Sequence, residues 1–200
     1  MAHGRTIRIY LQDGTMTGIR HAEIVNWTGQ GISVPRTHIK ALAHWSEATR
    51  PGIYFLLGIN KASHHPAVYI GEGENVFDRL SSHLLGRDFW NEAVFFSNKD
   101  ENLTKAHVKY LESRLVRMAK AAARYSVENL NDPPATGLPR GDRDSMEEFI
   151  GYLTVIVAMF GHRFLEAPPK AEEQKVPTLP VASAPSRLRA AKADLYWAPK

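Results

Sequence analysis

The chain has no cysteine. That excludes a disulfide framework, a thiol nucleophile and a cysteine zinc site. It also fits a reducing compartment, so a cytoplasmic location is the expectation. Long apolar runs are missing as well. The most apolar stretch, residues 149–160, is interrupted by Gly151, Tyr152 and Thr154. It falls short of the roughly 20 residues that span a bilayer, and a buried helix is predicted instead. Met1-Ala2-His3-Gly4-Arg5 leads into alternating residues rather than an apolar core, so no signal peptide is expected. No internal repeat is present, which excludes a solenoid. Neither sign of charge dominates: 25 Lys and Arg against 21 Asp and Glu give +4. Such a balance permits a polyanionic partner without requiring one.

What is present is an ordinary globular mixture, 44% hydrophobic and 23% charged, long enough for one domain with an appendage. Residues 6–12 alternate at period two, as a half-buried strand does. Asp13-Gly14 signals a turn, with a second strand near 16–19. Residues 20–28 and 35–48 read as helices, making residues 1–50 an accessory element. Residues 52–58 and 67–71 are short apolar strands around a polar turn, 60–66, and predict a β-hairpin. Residues 75–85 place Val76, Phe77, Leu80 and Leu84 on one helical face. Residues 93–97 read as a third, buried strand. A long helix over 103–124 carries the stripe Val108, Leu111, Leu115, Met118, Ala119 and Ala122. The expected class is therefore α/β (α+β), a small, mainly antiparallel three-stranded sheet flanked by helices. Its core is 51–131. A C-terminal helical extension covers 132–166, opened by the capping box Ser145-x-x-Glu148. Residues 167–200 read as a Pro/Ala/Lys-rich linker or disordered tail.

The chemistry-bearing residues lie between Gly52 and Glu112. Gly52-Ile53-Tyr54 and Tyr69-Ile70-Gly71 put one tyrosine on each strand of the hairpin. Arg79 and His83 follow, four residues apart, so they share a helical face beside the apolar stripe. Glu112 falls at the edge of the long helix's apolar stripe. There a carboxylate either joins an ion pair or faces a cleft. Tyrosines and a guanidinium fork can grip a phosphodiester. A Mg²⁺ ion keeps most of its waters and takes few protein ligands, so one glutamate can suffice to hold it. A free phenol has a pKa near ~10 and needs a neighbouring cation to lose its proton near neutrality.

Taken as an ordered set, these residues resemble the GIY-YIG nuclease superfamily, in particular a bacterial subgroup of uncharacterised GIY-YIG domain proteins. The carrying residues are the two triplets, Arg79, His83, Glu112 and an asparagine, Asn129 or Asn131. The lead-in Ser97-Asn98-Lys99-Asp100-Glu101-Asn102-Leu103-Thr104-Lys105-Ala106-His107 belongs to the same likeness. The resemblance implies a metal-dependent endonuclease, with Mg²⁺ or Mn²⁺ as cofactor and nucleic acid, DNA first, as partner. It implies Tyr54 as general base, Tyr69 and His83 positioning water and phosphate, Arg79 clamping phosphate, Glu112 holding the metal and Asn129 bracing the site. Lys105 and Lys109 would extend a nucleic-acid track. Repair-type members carry a lysine shortly after the second triplet; here the position holds Glu72. Two other readings stand beside this one. One is a nucleic-acid-binding module without turnover. The other is a protein-interaction adaptor whose 149–160 helix also offers a face for self-association. His64-His65 is read as a polar turn, since adjacent strand residues face opposite sides. Trp27, Trp45 and Trp90 are read as core anchors.

Overall fold

The computed structural model describes residues 4–167. The predicted tail therefore lies outside the described residues. In chain order the elements begin with three strands, β1 (Ile7–Leu11), β2 (Arg20–Ile24) and β3 (Gly29–Pro35), followed by a 3-10 helix (Arg36–His44). The hairpin β4 (Gly52–Ile59) and β5 (Pro66–Gly73) leads to α1 (Val76–Gly86), β6 (Trp90–Asn98) and α2 (Lys105–Ala122). A two-residue strand, β7 (Ser126–Val127), and α3 (Arg140–Met159) complete the fold. No described helix is long and apolar enough to cross a membrane.

The α+β class is as expected, but the sheet is larger than three strands. Among the described residues seven strands form one sheet, ordered β1-β2-β3-β6-β4-β5-β7. It is mixed, because β7 runs parallel to β5 while the other pairs are antiparallel. The difference arises in the N-terminal residues. The expected helix over 20–28 is β2 and a turn: Ala22 and Ile24 are buried at period two, with Glu23 half-buried between them. The second strand thus starts at Arg20, not near residue 16. β3, hidden in the sequence by Gly29-Gln30-Gly31, pairs along its whole length with β6. Of residues 35–48, only Arg36–His44 wind into a helix, a 3-10 helix that buries Ile39 and Leu42.

The sheet has an apolar layer on each face. On one, Ile53, Phe55, Val68, Ile70, Val94 and Phe96 meet α2 and α3. On the other, Tyr54, Leu56, Ile32, Val34 and Phe95 meet the 3-10 helix and α1. The α2 stripe is buried as predicted at Val108, Leu111, Leu115, Ala119 and Ala122. Thr104 and His107 cap its start reciprocally, which gives His107 a structural task. The helix ends on Ala123 in the left-handed region, φ 51°. α3 starts at Arg140, so Ser145 and Glu148 lie inside it rather than at its cap. Its apolar face, Phe149, Ile150, Leu153, Ile156 and Val157, is covered by the sheet of the same chain. That face is the one on which self-association was expected. Trp90 is fully buried, and Trp27 and Trp45 pack at the margins of the two layers. His64 and His65 are exposed in the turn.

Glu92 ties the added strands to the rest. It accepts from Arg20 Nη2 at 2.6 Å, Ser33 Oγ at 2.5 Å and His162 Nε2 at 3.1 Å. One carboxylate thereby links β2, β3, β6 and the chain leaving α3. At the far side of the sheet, β7 covers only Ala67 and Val68 of β5. The cover is continued by Glu128, whose N–H donates to the Val68 carbonyl at 2.8 Å. Beyond that, the Asn129 side chain stands in for a strand: its Oδ1 accepts from the Ile70 N–H at 3.0 Å, and its Nδ2 donates to the Ile70 carbonyl at 2.7 Å. From Gly71 to Gly73 the outer edge of β5 has no strand beside it among the described residues.

Candidate active site

The two triplets are placed by the hairpin register, which sets Tyr54 opposite Gly71 and Leu56 opposite Tyr69. Tyr54, Gly71 and Tyr69 therefore share the face that α1 covers. The second triplet needs its glycine for space. A Cβ on Gly71 would lie 2.4 Å from the Tyr54 hydroxyl and 2.5 Å from the ring carbon that bears it. The phenol thus lies flat across the neighbouring strand. Gly52 is as constrained, since its Cβ would meet the Phe96 carbonyl oxygen at 2.3 Å and Val76 at 2.8 Å. Gly71→Ala is expected to destabilise the fold by about 1–3 kcal/mol through overpacking and to displace Tyr54. A denaturant melt checks the first effect. An unchanged midpoint would show that the phenol has room to move.

Around Tyr54 the expected residues assemble. Tyr54 Oη lies 2.8 Å from His83 Nε2, in hydrogen-bond contact. The Tyr54, Tyr69 and His83 rings pack mutually, with centroids 6.3, 5.6 and 5.3 Å apart. His83 is half-buried on α1, and Arg79, one turn earlier, is exposed. This is the rim position that their spacing predicted. Burial, and then the Tyr69 hydroxyl, push the Tyr54 phenol above its usual pKa, with the Arg79 charge opposing the rise. Tyr54 is consequently a neutral phenol at pH 7. Burial also pushes His83 down, from 6.5 to about 4, helped by the charges of Arg87 and Arg79.

His83 should therefore be neutral across the physiological range. A folded-state pKa below the unfolded one means that this group's contribution to stability is complete above about 6.5 and is lost as pH falls through about 4. A histidine-resolved NMR titration is expected to place the His83 midpoint near 4. A midpoint at the ordinary imidazole value would contradict the shielded placement.

Glu112 comes from the opposite face. It projects from α2, which packs over β5, and it lines one cavity with Tyr69 and Asn129. The cavity measures about 340 Å³. Burial is the main reason that the Glu112 carboxyl is raised to about 7. Glu72, on the same face as Ile70, adds to this, while Arg79 and Lys109 oppose it. Among the described residues neither Glu112 nor Glu72 takes part in an ion pair. Of the two roles that the edge position allows, the ion pair is thus not made among the described residues. Lys105 pairs with Glu74 at 2.7 Å, and Lys109 is exposed.

A half-buried carboxylate that makes no ion pair among the described residues, close to a second one, suits a divalent cation that keeps most of its water. No cluster of three or more acidic or histidine ligands exists among the described residues. One carboxylate, that of Glu112, is available here to a cation that keeps most of its own water.

The geometry joins Tyr54, Tyr69, Arg79, His83 and Glu112 at the uncovered end of β5. Asn129 braces that edge through Ile70, while Asn131 lies exposed on the cavity wall. One participant was not anticipated. Arg87, the C-cap residue of α1, stacks its guanidinium over the Tyr69 ring at 4.0 Å and lines the same cavity. The signal was in the sequence, for Arg79, His83 and Arg87 are spaced four apart on one helical face. No protein-family model matches the chain, and neither curated proteins nor solved structures give a match.

Proposed function

We propose that the chain is a metal-dependent endonuclease of the GIY-YIG type, hydrolysing phosphodiester bonds in nucleic acid, DNA first. The observation that carries this reading is the meeting of a Tyr–His hydrogen-bonded pair, an exposed arginine fork and an unpaired, partly buried carboxylate at one sheet edge.

The residues divide the work as follows. Arg79 holds non-bridging phosphate oxygens with its planar fork and neutralises charge that grows as the phosphorus is attacked. Tyr69 orients the phosphate or the attacking water from the next strand. Tyr54 takes a proton from that water at Oη and passes its own to His83 Nε2, 2.8 Å away. A relay suits a phenol that burial keeps protonated, because Oη stays neutral throughout. Glu112 would hold a Mg²⁺ or Mn²⁺ ion. When bound, that ion supplies Lewis acidity at the phosphate and support for the leaving oxygen. Asn129 keeps Tyr69 and Gly71 in place through Ile70.

Glu72 stands where repair-type relatives of this superfamily carry a lysine. Its charge deepens the negative field at Glu112 and so favours cation capture over direct activation of the phenol. The test is cleavage of single-stranded, duplex and branched DNA, and of RNA, with Mg²⁺ or Mn²⁺ against EDTA. Cleavage that needs the metal is expected. Cleavage unchanged in EDTA would sink the metal role of Glu112. Binding without cleavage under every condition would favour a binding module on the same scaffold.

A further inference from the structure

The cavity beside Glu112 has walls to which hydrolysis alone gives no task. One wall is Arg87. Its guanidinium lies on the Tyr69 ring, and its side chain makes no hydrogen bond or ion pair among the described residues. A guanidinium stacked on one side keeps its other face and its in-plane donors free for a ligand.

The same cavity is lined by residues 129–134, which are tied to the fold at several points. Asn129 is tied at both ends of its amide to Ile70. Asp132 is paired with Lys120, and the Ser113 hydroxyl donates to the Pro133 carbonyl at 3.4 Å. Pro133 and Pro134 fix the backbone further. On this segment Leu130 stands 93% exposed beside the exposed amide of Asn131. An apolar side chain and an amide with no hydrogen bond among the described residues, lining the cavity together with a stacked arginine, offer one apolar surface, one hydrogen-bonding edge and one anion fork. A nucleotide presents the complement of all three.

Size narrows the choice. At about 340 Å³ the cavity lies at the low end of the roughly 300–1,000 Å³ of small-ligand sites. It has room for a single nucleoside-sized group. A base inside a duplex is stacked on both sides and paired at its edge, so it reaches such a cavity only after leaving the helix.

We propose that this cavity receives one unpaired nucleotide next to the scissile phosphate. Arg87 grips its phosphate, and Leu130 and Asn131 meet its base. The substrate class is then nucleic acid that is unpaired at the point of cleavage: a single strand, a flap or a junction. The inference rests on the nuclease reading above, because it takes Glu112 to mark the reacting centre.

The experiment measures binding apart from turnover. Oligodeoxynucleotides carrying one 2-aminopurine, as a single strand, a flap and a full duplex, are titrated with the full chain in EDTA. Single strand and flap are expected to bind about tenfold tighter than duplex. Arg87→Gln should weaken single-strand binding about tenfold and lower the salt slope by about one. Leu130→Ser, at a solvent-exposed position that leaves the core untouched, should weaken it about threefold or more and alter the 2-aminopurine signal. Arg8→Gln, on exposed β1, should change nothing.

Duplex bound as tightly as single strand would overturn the subsite, as would an Arg87→Gln variant that binds like the wild type. Cleavage in Mg²⁺ separates the two readings. Cutting that ignores both pairing and Arg87 leaves a nuclease without this subsite. Arg87-dependent capture of single strands, with no cutting of any substrate, leaves the subsite and removes the nuclease.

Discussion

Replacing Glu112 by glutamine is expected to reduce cleavage by about a thousandfold or more, with the fold intact. Glu112, like Glu72, makes no ion pair among the described residues, so a neutral isostere removes cation capture and breaks no salt bridge. The sign of the stability effect follows from its raised pKa. In the metal-free protein the folded state holds the Glu112 proton up to about pH 7, whereas the unfolded chain releases it near 4.5. Its contribution is thus complete below about 4.5 and is lost as pH rises through about 7. The loss is on the order of 1 kcal/mol once solvent screening of a half-exposed group is allowed for. Glu112→Gln should abolish that loss, and in EDTA at pH 8 it should melt no lower than the wild type. A metal must displace the same proton, so cleavage should climb by about tenfold per pH unit below neutrality and level off above about 7. A Glu112→Gln variant that still cuts, or a flat pH profile, would remove Glu112 from the reacting centre.

Tyr54→Phe should be the second large effect, lowering the rate by about 10²–10⁴-fold at nearly unchanged stability. The ring that fills the space over Gly71 and packs on Tyr69 is retained. Only the hydroxyl goes, leaving His83 Nε2 without its partner at a cost of about 1 kcal/mol. If Tyr54 and His83 form one relay, their effects are not additive. His83→Gln should also be slow, and the double variant should be little slower than Tyr54→Phe alone, as a double-mutant cycle in single-turnover kinetics would show. Fully additive losses would separate the two residues. Retention of more than about a tenth of the rate by Tyr54→Phe would leave the phenol a packing residue.

Both experiments rest on residues that local pattern made readable. The triplets, Arg79, His83 and Glu112 could be placed because helical spacing and strand alternation act over a few residues. β4, β5, α1, β6 and α2 were legible for the same reason. β3 was not: Gly29-Gln30-Gly31 has no alternating apolar signature, and its strand character comes from pairing with β6 some sixty positions later. Losing β3 also lost β2, whose partner it is, so the sheet was read as three strands instead of seven. The start of α3 was misplaced because Ser145 and Glu148 mimic a cap, while the chain turns into helix directly after Pro139. At the site, the wall of residues 129–134 could not be foreseen. It exists only because Asn129 finds Ile70 and Lys120 finds Asp132 after the sheet has closed.

The amide of Asn129 has one further consequence, which concerns solubility rather than catalysis. A strand edge left bare invites a strand from a neighbouring molecule. On β5 the first possible docking point, Ile70, is already occupied by a side chain that copies a backbone partner. Beyond it a newcomer would meet Glu72 and Glu112, two acids close enough to repel each other. The same charges that prepare the edge for a cation deter a second chain, so the opening can remain uncovered without becoming adhesive. Variants that neutralise these acids to probe mechanism also weaken that protection, and they are best kept dilute.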